Sequence, residues 1–236
     1  VKTEKFSDWL KQSLLFISRD PVVWVSYTLL MGVVLMLGRI SPALGIFLAV
    51  IFLFVGVGIA KYIDIKSSEQ RVNLSYAVTK SLPLAILAAI VIVLCWLVFM
   101  AMANIFSGEP EKIGQFFFYW QLTPENLNHK SSRELASWLY GYANITLIFT
   151  LLMMTTFASW FSHSLMLFKD YSWSAAKEVG NQLMAKHQSA LYKLLAFVFL
   201  EAVLCASVTP LLTPVLYMLT STLMYISYKN VHLISN

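Results

Sequence analysis

The stretch Leu194–Tyr228, LLAFVFLEAVLCASVTPLLTPVLYMLTSTLMYISY, decides the fold. It holds 35 residues and a single charge, Glu201. One continuous helix of that length would run about 50 Å at 1.5 Å per residue, whereas hydrocarbon is crossed in roughly 30 Å by about 20 residues. The run must therefore turn back on itself. Thr209-Pro210-Leu211-Leu212-Thr213-Pro214 supplies the turn, because each proline lacks an amide donor and disfavours helix in the residue before it.

Charges bound the other apolar runs in the same way. Uncharged stretches of 18, 21, 28 and 34 residues lie at 21–38, 40–60, 81–108 and 135–168. With the folded-back run, the chain reads as six spans, at about 21–38, 42–61, 82–104, 144–166, 191–208 and 212–228. Arg39-Ile40-Ser41-Pro42 makes a tight turn between the first two, and a long loop, 105–143, separates the third from the fourth. The expected fold class is all-α, a single integral membrane domain of three helical hairpins.

Composition agrees. Of 236 residues, 58% are hydrophobic and 12% charged, and the mean hydropathy is +0.70. Soluble domains carry about 25% charged residues, so this chain lacks the polar groups to cover a water-facing surface. That excludes a soluble enzyme, a disordered tail and a nucleic-acid-binding domain. The first 20 residues mix charges with hydrophobes and do not read as a cleaved signal peptide. Cys95 and Cys205 sit in apolar runs and read as free thiols.

The net charge of +5 is explained by topology. Segments 1–20, 61–80, 167–193 and 229–236 hold 13 Lys and Arg, against 4 in the turn at Arg39 and the loop 105–143. Lys and Arg in short loops favour the cytoplasmic side, which places both termini in the cytoplasm and lets basic residues meet anionic headgroups. Membrane lipids are thus expected partners, and nucleic acid is not.

The chain also reads as a threefold internal repeat of interfacial helix, hairpin and polar exit. Phe6, Trp9, Leu10, Ser13, Leu14 and Ile17 form one face of the first lead-in helix. The second lead-in is Val72 to Ser81, and the third is Trp173 to Lys186. The exits are Ala60-Lys61-Tyr62-Ile63-Asp64, Phe168-Lys169-Asp170-Tyr171 and Tyr228-Lys229-Asn230.

The stretch Phe16-Ile17-Ser18-Arg19-Asp20-Pro21-Val22-Val23-Trp24 is followed by Ser41-Pro42-Ala43-Leu44-Gly45 and by Gly56-Val57-Gly58. This order resembles uncharacterised six-helix bacterial inner-membrane families: YciC-like proteins and the membrane portion fused to some glycerophosphodiester phosphodiesterases. The resemblance spans most of the chain as a pattern, although the loop 105–143 is longer than the pattern has. It implies a bacterial inner-membrane location and no particular activity.

Few residues carry chemistry. Glu201 lies about 12 Å past Lys193 along the fifth span. A carboxylate at such depth costs about 2.5–3.5 kcal/mol on insertion scales and faces a bundle interior. Thr155, Thr156 and Ser159 on the fourth span and Thr220 and Ser221 on the sixth are expected at similar depth. Glu201 is either a proton or cation site, or a structural hydrogen-bonding group that ties helices or meets a partner. His129, His163, His187 and His232 show no paired ligand spacing, His163 being expected near the cytoplasmic surface, and no cofactor, metal or catalytic constellation is expected. Gly32, Gly45, Gly56 and Gly58 are expected to let helices approach closely.

The loop 105–143 is unusual. Phe116-Phe117-Phe118-Tyr119-Trp120 puts five aromatics in a row, to lie in the headgroup layer or to dock on another protein. Ser131 and Glu134 form a capping box for a helix bearing Leu135, Trp138, Leu139 and Tyr142. Two functional classes follow: a non-enzymatic accessory subunit or assembly factor bound to an integral membrane protein, or a small transporter or channel with Glu201 in its pathway.

Overall fold

Proline and small polar residues punctuate the apolar runs, and the helices begin and end there. A computed structural model describes the backbone of residues 5–66, 73–128 and 130–235, and side chains as far as Val231. His129 and Val72, and the side chain of His232, lie outside the described residues. The regular elements are α1 (Phe6–Ile17), α2 (Pro21–Met36), α3 (Pro42–Lys66), α4 (Leu74–Phe106), α5 (Pro124–Asn128), α6 (Ser132–Phe157), α7 (Ser162–Lys169), α8 (Trp173–Lys186), α9 (Gln188–Ser207) and α10 (Thr213–Ser235). Short 3-10 turns lie at Leu37–Arg39, Pro110–Phe116 and Pro210–Leu212. The protein is an all-α polytopic membrane protein, with six helices among the described residues long and apolar enough to cross a bilayer. The Thr209–Pro214 turn divides the last apolar run into α9 and α10, as its prolines require.

Two spans differ from the sequence reading. The second lead-in is continuous with the third span, so that α4 runs unbroken through Pro83 from Leu74 to Phe106. The fourth span is not 144–166. Its helix starts at the capping box, where Ser131 N–H donates to Glu134 at 2.8 Å and Glu134 N–H donates back to Ser131 Oγ at 3.4 Å. Nothing interrupts the helix until Phe157. Ala158 then leaves the helical region (φ −117°, ψ −125°), and a separate short helix, α7, follows. The 34-residue uncharged run there is itself too long for one span, by the argument applied to 194–228.

Helices α3 and α10 form the interior, with α4 packed most extensively on α3 and α2, α6 and α9 around them. The interior is rich in hydroxyls, and those on α10 and its neighbours find acceptors on the backbone. Ser221 Oγ donates to the Leu53 carbonyl at 2.8 Å. Tyr27 OH donates to the Phe52 carbonyl at 2.8 Å, and Tyr217 OH to the Ala143 carbonyl at 2.6 Å. A lipid-embedded bundle has to satisfy polar groups in this way, from within. Gly56 makes the α3–α10 contact possible, since a Cβ there would overlap Ser221 and Tyr27; Gly45 and Gly58 likewise sit against close neighbours, while Gly32 has more room.

Helix α1 docks on protein. Of the predicted face, Trp9 and Ser13 are buried and Phe6, Leu10 and Ile17 pack on the core, while Leu14 is exposed and Phe16 is buried in its stead. Asn230 Nδ2 donates to Gln12 Oε1 at 2.7 Å, and the Phe16 and Tyr225 rings lie 5.8 Å apart. At the α1–α2 junction Asp20 caps α2 through Val23 N–H and pairs with Lys66 at 2.8 Å. The Lys66 hydrogen bond holds the Asp20 carboxyl below the usual aspartate range.

Gly56→Leu should destabilise the bundle by about 1–3 kcal/mol through overpacking. Thermal melting in detergent checks this. Gly141→Ala, at a position with nothing within 4 Å, should melt like the wild type or slightly higher.

Candidate functional site

The predicted intramembrane polar residues do not converge. Glu201 sits on α9, incompletely buried, six residues before the end of that helix. Among the described residues its carboxylate forms no hydrogen bond or ion pair. Thr155 is half-buried and Thr156 exposed on α6, and Thr155 Oγ1 donates to the Leu151 carbonyl of its own helix at 3.0 Å. Thr220 and Ser221 are buried on α10, and their hydroxyls go to backbone carbonyls.

Ser159 belongs to a different place, the break between α6 and α7. Ser159 and Ser162 share a hydrogen bond of 2.9 Å, Trp160 Nε1 donates to Ser227 Oγ at 2.9 Å, and Gly180 of α8 packs on Ser159 so closely that a Cβ would not fit. Ser162, His163 and Ser164 are all buried. His163 is thus inside the protein, with its ring 4.2 Å from that of Phe54. The polar run Ser159-Trp160-Phe161-Ser162-His163-Ser164 was the sequence signal for this break.

The aromatic run divides. Phe116 is fully buried in the core, while Phe117, Phe118, Tyr119 and Trp120 are roughly half exposed or more. The exposed four are held in place by backbone pairing with the α2–α3 turn, Tyr119 N–H to the Ile40 carbonyl at 3.0 Å and Gln121 N–H to the Arg39 carbonyl at 2.9 Å. Arg39 completes the clasp. Its guanidinium donates to Gln121 Oε1 at 3.0 Å and to the Trp138 carbonyl, and lies 4.7 Å over the Trp138 ring. Lys130 approaches the same ring at 5.2 Å. Trp138 therefore anchors the loop to the bundle.

A cavity of about 380 Å³ opens at the opposite, basic end, between α3, α4, α7 and α10. Its lining includes Lys61, Lys80, Lys169 and Lys229, the tyrosines Tyr62, Tyr76, Tyr225 and Tyr228, and one carboxylate, Asp64. Asp64 is heavily engaged. Lys229 Nζ donates to its two oxygens at 2.7 and 2.9 Å, Tyr225 OH donates at 2.6 Å, and Arg19 lies at 3.7 Å. This knot ties the α1–α2 junction, α3 and α10 together at one end. Among the described residues no cluster of His, Cys, Asp and Glu is arranged to hold a metal ion, and Cys95 and Cys205 are free.

Asp64→Asn keeps a partner for Tyr225 but loses both ion pairs. With Arg19 and Lys229 partly exposed, the expected cost is about 1 kcal/mol. It should register as a lowered melting temperature, with the gap to wild type narrowing in high salt. No family model matches the chain, and neither a curated protein nor a solved structure matches it.

Proposed function

We propose that this protein is a non-enzymatic accessory subunit or assembly factor of a larger membrane complex, in a bacterial inner membrane with both termini cytoplasmic. The observation that carries the reading is Glu201. It lies within a helix long and apolar enough to span, roughly 9 Å from its end at 1.5 Å per residue. It is not fully buried, and no other described residue meets it with a hydrogen bond or an opposite charge. A carboxylate so placed is costly in lipid, and a polar or basic group on a partner helix would offset that cost. The flank around Glu201 is apolar and exposed, with Phe199, Leu200, Val203 and Leu204 at its surface.

The loop supports the same reading. Phe117, Phe118, Tyr119 and Trp120 form an exposed aromatic patch on a segment clasped by Arg39, and a rigid apolar patch suits docking better than a mobile one. The transporter reading gains less support. Thr220 and Ser221 spend their hydroxyls on carbonyls, and they and Glu201 stand on different helices.

Two outcomes are expected. Purification in mild detergent from the native membrane should yield a co-eluting integral membrane protein by mass spectrometry, and Glu201→Leu or Phe117→Ser with Phe118→Ser should reduce its yield several-fold while the isolated protein still melts cooperatively. Unchanged recovery with both variants would refute the docking assignment. Alkaline-phosphatase fusions after residue 125 should be active and those after residues 70 and 236 inactive; activity at 236 would overturn the orientation.

A further inference from the structure

The three polar exits of the sequence, remote from one another along the chain, meet in one cavity. Lys61-Tyr62 comes from the end of α3, Phe168-Lys169 from the end of α7, and Tyr228-Lys229 from α10. Lys80 of α4 adds a fourth cation from a fourth helix. Four lysines thus face a space of about 380 Å³ against one carboxylate, and that carboxylate, Asp64, is already paired with Lys229 and Arg19. Lys80 reaches Asp170 only at 4.0 Å, with both side chains exposed. Lys61 is aligned over the Phe168 ring at 6.0 Å, and among the described residues neither Lys61 nor Lys169 has a carboxylate within ion-pair distance.

We propose that this cavity binds a phosphate group, of an anionic phospholipid or of a soluble phosphate ester. The volume lies within the roughly 300–1,000 Å³ typical of ligand pockets. Convergent lysines are point charges suited to a phosphate's several oxygens, and the hydroxyls of Tyr62 and Tyr76 add donors. The apolar part of the lining, with Gly58, Ala77, Leu167 and Phe168, fits the glycerol or ester carbons next to the phosphate. Basic pockets between helices at a membrane surface are suited to lipid headgroups.

The test uses the full chain in nanodiscs of phosphatidylcholine. In one arm, phosphatidylglycerol is titrated in and its retention read by native mass spectrometry. In the other, inorganic pyrophosphate is added and binding read by calorimetry. The wild type should bind one probe: phosphatidylglycerol identifies a lipid site, and pyrophosphate a soluble-ester site. Lys61→Gln with Lys169→Gln should weaken that binding roughly thirtyfold, about fivefold per lysine, equivalent to ~1 kcal/mol each. Lys61→Arg with Lys169→Arg should retain most of it, and Lys112→Gln with Lys130→Gln, at the other end of the bundle, all of it. Binding of neither probe by the wild type, or equal binding by the double glutamine variant, overturns the proposal. Ligand-induced thermal shift of the wild type gives an independent readout should the glutamine variant fold poorly: a shift with either probe supports the site, and none with both refutes it.

Discussion

The hydrogen bond from Ser221 to the Leu53 carbonyl, across the gap left open by Gly56, is the contact around which the bundle is organised. It brings the backbones of α3 and α10 together in the interior. In a membrane, association gains little from burying apolar surface, because lipid is as apolar as leucine; close packing and satisfied polar groups do the work instead. Helix α10 carries Thr213, Thr220, Ser221, Thr222 and Ser227 as buried residues, a set that lipid would disfavour. Placing α10 inside, with carbonyls of its own turns and of its neighbours as acceptors, removes that cost.

Both ends of the bundle follow from this core. At the loop end, Arg39 holds the α2–α3 turn, Gln121 and Trp138 in one clasp and so fixes an aromatic patch that stays largely exposed. At the basic end, Asp64 collects Lys229, Tyr225 and Arg19. That neutralises part of the local charge and leaves Lys61 and Lys169 facing the cavity. Between the ends, the hydroxyls of Tyr27, Tyr217, Thr220 and Ser221 are committed to carbonyls. The groups open to a second molecule therefore lie at the two ends and on the flank that carries Glu201.

The break at Ser159–Phe161 shows how a polar run is accommodated inside such a bundle. Its hydroxyls pair with one another, Trp160 reaches Ser227, and α8 presents Gly180 so that its backbone approaches directly. Irregular backbone of this kind is tolerated only where protein surrounds it. Helix α8, which the sequence presents as an interfacial helix, serves here as the cover for the break.

Span number, helical class and the Pro210–Pro214 turn were legible in the sequence because charge spacing, run length and proline act locally, on the residues that carry them. The capping box at Ser131 and Glu134 was legible for the same reason; the end of that helix was signalled only by the polar run 159–164, whose Ser159 and Ser162 meet Gly180 and Ala176 from elsewhere in the chain. The sequence named Glu201, Trp138 and the aromatic run as unusual residues. It had no means of telling that Phe116 turns inward while its four successors stay outside, or that Thr155, Thr220 and Glu201 face different ways. Facing depends on helix rotation, which is set by contacts between residues far apart in the chain. The same holds for the lysines of the three exits: each was visible as a basic residue ending a span, and only the packing of α3, α4, α7 and α10 gathered them around one cavity.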